Sequence, residues 1–202
     1  MRASHTQLSK NFMLPEFLKS ETARASGYLW DLQLNPPREV VDNLRGLAQN
    51  LLQPPRDYFG HSITVNSGYR HPKVNRAVKG SRTSEHVLGM AGDVELPDDY
   101  PEISAPRTDA FLREVKMEFG VEIDPSRVNG NFLLFAYIIL HSPERPFGQL
   151  IHEYGSDGNP AWVHVSHRPA GYRKGNYNEI LIKRSGEAYR RLTAKEAIRL
   201  GL

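Results

Sequence analysis

Apolar residues recur at helical spacing in one stretch above all others. Val40, Val41, Leu44, Leu47, Leu51 and Leu52 predict an amphipathic helix from residue 38 to about 52, opened by Asn35-Pro36-Pro37 and stopped by Pro54-Pro55. Before it, residues 8–20 read as an extended lead-in and a short helix, with Pro15 in the first turn, and residues 21–36 read as loop. Residues 62–66 (SITVN) alternate and are β-branched, which predicts a strand. Ser67-Gly68-Tyr69-Arg70 is a turn, residues 71–78 a short helix, 80–84 a loop and 91–96 a second strand. The proline- and aspartate-rich residues 97–106 predict a surface connection, and 108–119 an amphipathic helix ended by Gly120. The unbroken apolar run at 132–140 (FLLFAYIIL) reads as a buried strand. Strands are also expected at 148–153, 161–167 and 178–183, with GSDGN at 155–159 as a hairpin turn. Thr193 and Glu196 form a capping-box signature for a terminal helix. Strands and helices do not alternate in βαβ fashion and the second half is rich in strands, so the expected class is α+β with an antiparallel sheet.

Composition narrows the possibilities. The 202 residues, 39% hydrophobic and 24% charged, suit a single soluble core. No stretch approaches about 18 consecutive apolar residues, so no membrane span is expected. No apolar signal-peptide core follows the first residues; a chain made in the cytoplasm and acting on the cell wall would need another route of delivery, of the phage or prophage type. Cysteine is absent, which restricts any metal site to His, Asp and Glu. The net charge is +3, and from Arg168 onward nine basic residues face three acidic ones. Such a tail suits an anionic polymer, with a solvated helix face as the plain alternative. No nucleic-acid-binding motif accompanies it, so a nucleic-acid partner is not expected.

Three fragments gather polar residues that a core would not otherwise hold: SGYR at 67–70, SEHVLGMAGD at 84–93, and QLIHE at 149–153 followed by WVHVS at 162–166. Gly89, Ala91 and Gly92 leave room for a close backbone approach, and Asp93 opens an apolar strand, a costly place for a carboxylate without a partner. Alternation sends Val163 and Val165 to one face and Trp162, His164 and Ser166 to the other; Gln149, Ile151 and Glu153 likewise share a face. In a hairpin, Glu153 and His164 converge. Two imidazoles and one carboxylate leave a fourth tetrahedral position for water, the pattern of a catalytic zinc.

These fragments, in this order, resemble the zinc D-alanyl-D-alanine carboxypeptidase family, which also contains phage endolysins and L-alanyl-D-glutamate endopeptidases and is related to the hedgehog fold. The match runs through VNSGYRHPKVNRAVKGSRTSEHVLGMAGDVE, QLIHE and WVHVS, with the lead-in at 8–23 and the helix at 37–60 resembling one branch's N-terminal part. The resemblance implies an antiparallel sheet carrying the metal and flanked by helices. It implies one zinc ion held by His86, Asp93 and His164. Arg70 would polarise the scissile carbonyl or hold a substrate carboxylate. Ser84 would lie on the substrate side, Trp162 would stack on substrate or wall the site, and Glu153 would be the general base. The implied organisation is one peptidase domain over 1–202: a helical part at about 8–56, a metal-binding core at about 60–168 and a basic extension at about 169–202. The implied substrate is a peptidoglycan peptide, cut by carboxypeptidase or endopeptidase action, and the expected state is a monomer.

Two features depart from that pattern. Many relatives carry the catalytic carboxylate three residues before the last His, where this chain has Ala161. Glu153 then takes the role, with His152 as its rival on the opposite strand face. The same gap leaves open a cell-wall-binding module or phage structural component that keeps the fold without catalysis. The stretch 97–147 is also longer than the family pattern, and could reshape the cleft. His71, His61, His141 and His167 read as turn, edge or opposite-face histidines.

Overall fold

A computed structural model describes residues 6–202; the opening residues 1–5, read above for a leader, lie outside the described part. Six strands form one sheet: β1 (Thr64–Ser67), β2 (Ala91–Glu95), β3 (Gln149–Glu153), β4 (Trp162–Ser166), β5 (Glu179–Lys183) and β6 (Arg190–Leu192). Their spatial order is β1-β2-β4-β3-β5-β6. The α+β class expected from the sequence is present. The sheet is mixed rather than wholly antiparallel, because β5 returns to lie parallel to β3 after a long connection, while the other neighbours run antiparallel.

Register divides the sheet into two chemical faces. Val94 pairs with Val163, Leu150 with Val165, and Ile180 with Leu150, so these side chains build the core face. Asp93 pairs with His164, and His164 with Ile151, on the opposite face. The 155–159 turn joins β3 to β4 as a hairpin, with Ser156 bridged to Asn159.

The helices are α1 (Leu14–Phe17), α2 (Glu21–Ala25), α3 (Tyr28–Leu34), α4 (Arg38–Leu47), α5 (Gln53–Phe59), α6 (Pro72–Ala77), α7 (Tyr100–Ile103), α8 (Ala105–Phe119), α9 (Gly130–Leu140) and α10 (Ala194–Arg199). The apolar run at 132–140 is therefore a helix, not a strand. Asn129 caps it by accepting from the Phe132 N–H, and α9 passes through the core against β2, β3 and β4, buried from Gly130 to Ile139. A helix surrounded by core has no polar face, so the periodicity that separates helix from strand is lost.

Three smaller readings change. Residues 21–36 hold α2 and α3 rather than loop, α2 being started by Ser20, whose side chain accepts from the Ala23 N–H. Pro54 and Pro55 do not stop the long helix: the chain widens into a π turn at Ala48–Leu52 and continues as α5, whose first turn accommodates the prolines. The connection at 97–106 contains α7 and the start of α8. The capping box at Thr193 and Glu196 forms as predicted.

Candidate metal centre

The second face of the sheet meets the loops that follow β1 and precede β2. At the end of β1, Gly68 lies against α1, and a Cβ there would fall 2.7 Å from the Phe17 carbonyl oxygen. This close approach fixes the Gly68 carbonyl, which accepts from His86 Nδ1 at 2.7 Å. His86 sits in a 3-10 turn (Glu85–Leu88) ended by Gly89 at φ +69°. A Cβ at Gly89 would lie 2.7 Å from the Val40 carbonyl oxygen, so both conformation and space demand glycine. Gly92 meets only ordinary contacts. Asp93 and His164 are cross-strand neighbours on β2 and β4.

The geometry of the three groups is that of a ligand set. His86 Nε2 lies 3.2 Å from His164 Nδ1 and 3.3 Å from Asp93 Oδ1, and His164 Nδ1 lies 2.9 Å from Asp93 Oδ1. Zinc bonds of about 2.0–2.1 Å at tetrahedral angles require ligand atoms about 3.3 Å apart, so these separations are close to the edges of a coordination tetrahedron. The proton count agrees. With the His86 Nδ1–H given to Gly68, its Nε2 carries a lone pair, and a single proton on His164 Nδ1 cannot serve both Nε2 and the carboxylate. One cation satisfies all three acceptors.

Ionisation favours the same arrangement. Burial lowers the His86 pKa against the opposing pull of Asp93, which keeps the imidazole neutral and able to ligate. Burial works to raise the Asp93 pKa, but its interactions with His86 and His164, hydrogen bonds among them, outweigh it and hold the carboxyl well below the usual carboxylate range. The three side chains can thus hold a metal ion.

Other residues singled out by sequence occupy the surrounding cleft, of about 640 Å³, in which Arg70, Ser84, Glu153 and Trp162 all take part. Arg70 turns toward the cluster itself: Nη2 donates to Asp93 Oδ2 at 2.8 Å and Nε to Ser67 Oγ at 2.9 Å. Glu153 is only 8% exposed, its carboxylate has no hydrogen-bond partner among the described residues, and burial pushes its pKa up. The Trp162 ring stacks at a tilt on Tyr154, 5.1 Å between centroids.

His152 points the other way. It is fully buried on the core face, edge-on to Phe135, with Nε2–H donating to the Asp157 carbonyl and Nδ1 accepting from Arg184. His71 caps α6 by accepting from the Lys73 N–H, the His167 ring lies beside Gly46, the His141 ring stacks on Tyr137, and the His61 ring is bonded to its neighbour Ser62. None of these four lines the cleft.

Sequence reasoning missed the cleft wall supplied from beyond residue 168. Lys174, Glu179, Leu181 and Tyr189 all border the cleft. Alternation in 179–183 was available as a signal for Glu179 and Leu181, but only the parallel pairing to β3 shows which face they join. Tyr154 was also missed; it holds a left-handed φ of +52°, an uncommon conformation for an aromatic residue.

A family model described as Peptidase M15 matches residues 10–120, a span that includes His86 and Asp93. The chain belongs to the peptidase M15 family. His164, the remaining member of the ligand set, lies beyond the matched span, and the pairing of β4 with β2 brings it beside Asp93. No curated protein matches this M15 chain, and no solved structure does.

Proposed function

We propose that this M15 chain is a zinc-dependent hydrolase of amide bonds in peptidoglycan peptides. The observation that carries the reading is the coincidence, in one cleft, of three ligand atoms 2.9–3.3 Å apart and an unpaired, partly desolvated carboxylate on Glu153. His86 Nε2, His164 Nδ1 and Asp93 Oδ1 would hold the ion. When bound, zinc in such a site supplies Lewis-acid polarisation and lowers the pKa of a coordinated water to about 7.

The chain's own groups do the rest. Glu153 accepts the proton of the attacking water and returns it to the departing amine. Arg70 keeps the Asp93 carboxylate oriented through Nη2, and its remaining N–H groups serve a substrate carbonyl oxygen or carboxylate. Ser84 offers a hydroxyl to the peptide backbone, and Trp162 with Tyr154 supplies an apolar wall for it.

The test is mass spectrometry of purified peptidoglycan incubated with the protein, with and without a chelator. Chelator-sensitive release of peptides is expected, and the product masses separate carboxypeptidase from endopeptidase action. His164→Ala should lose zinc and turnover together; retained turnover in that variant contradicts the reading. Ala161, at the position where many relatives carry a carboxylate, favours a second reading as a non-catalytic wall-binding module. Equal, near-zero rates for the native chain and Glu153→Gln would support that reading instead.

A further inference from the structure

One buried ion pair has no part in the chemistry above, yet it joins the two halves of the metal centre. Glu85, the residue before His86, is 6% exposed; Arg168, two residues past the end of β4, is 4% exposed; Arg168 Nε donates to Glu85 Oε1 at 2.5 Å. The partners are 83 positions apart in the chain. Glu85 belongs to the 3-10 turn that carries His86, and Arg168 continues from the strand that carries His164. The same guanidinium reaches the loop that follows, with Nη1 donating to the Gly175 carbonyl at 2.7 Å. The Arg168 backbone closes that loop, its N–H donating to Asn176 Oδ1 and its carbonyl accepting from Asn176 Nδ2. Lys174, on this loop, borders the cleft.

We propose that Glu85–Arg168 is a positioning pair that fixes the turn of His86 relative to the strand of His164 and holds the Lys174 loop against the cleft. This rests on the metal-centre reading above. The energetics point to geometry rather than stability as the reason for the pair. Glu85 Oε2 is buried with no partner among the described residues, so the carboxylate is desolvated without full compensation. A buried ion pair is commonly no more stabilising than apolar residues of similar volume. Groups that orient metal ligands, by contrast, typically change affinity by about ten- to a hundred-fold when removed.

The experiment compares the full chain with the double variant Glu85→Leu/Arg168→Met and with Arg168→Lys. The double variant removes both charges at once; Arg168→Lys keeps the charge but not the fork that reaches Glu85 and Gly175 together. Zinc affinity is read by competition with a chromophoric chelator, and folding by circular dichroism and thermal unfolding. The expected result is a melting temperature equal to or above that of the native chain for the double variant, with zinc binding about ten- to a hundred-fold weaker in both variants. Zinc affinity equal to that of the native chain in a folded variant overturns the positioning role and leaves the metal centre intact. Where the double variant does not fold, Arg168→Lys decides, and loss of folding in both assigns the pair to stability and overturns the role. A native chain that takes up no zinc overturns the metal-centre reading and this role with it.

Discussion

At the scale of single residues, the two catalytic candidates differ in what surrounds them. Glu153 has no partner among the described residues, whereas Arg70 is engaged with Asp93. Glu153→Gln should therefore leave zinc binding and folding unchanged while lowering kcat by about 10²–10⁴-fold, measured on purified peptidoglycan. A general base acts in its deprotonated form, and burial pushes the Glu153 pKa up. The acid limb of the kcat profile should accordingly vanish in Glu153→Gln. Alternation alone placed Glu153 and His164 on one strand face and His152 on the other, because a period of two needs no knowledge of the fold. The Arg70–Asp93 contact and the Glu85–Arg168 pair were not legible in that way. Each joins segments 23 or more positions apart, and only the folded sheet brings them together.

At the scale of elements, α4 was readable because it has one apolar face, and α9 was not because every face is apolar. Phe135, buried in α9 and packed edge-on against His152, should cost about 3–5 kcal/mol of stability on replacement by Ala, read from urea unfolding midpoints. The same contact has a pH signature. Burial lowers the His152 pKa from 6.5 to about 4, so between those values the unfolded chain binds a proton that the folded chain refuses. Stability from this group is present in full above about pH 6.5 and declines as pH falls toward 4, by up to about 3 kcal/mol. Urea unfolding at pH 7 and pH 4.5 should show a smaller loss for His152→Gln than for the native chain. Equal losses would mean that other groups govern the acid response.

At the scale of the whole molecule, the residues past 168, which the sequence presents as a basic tail, supply β5, β6 and α10 to the body of the protein. Ile180, Ile182, Leu192, Ala197 and Ile198 are all buried in its core. A chain ending at residue 168 would leave the apolar β3 edge unpaired, and is expected to be insoluble or to lack the circular dichroism of the intact chain. No helix among the described residues is long and apolar enough to cross a membrane. The arrangement of the whole serves to set one face of the sheet, bearing Asp93, His164 and Glu153, beneath the turn that carries His86. Anomalous diffraction at the zinc edge from crystals of the zinc-loaded chain tests this most directly. One strong peak should lie within about 2.2 Å of His86 Nε2, His164 Nδ1 and Asp93 Oδ1, with solvent as the remaining ligand. Absence of a peak there, or a fourth protein ligand closing the ion off from solvent, would contradict the account.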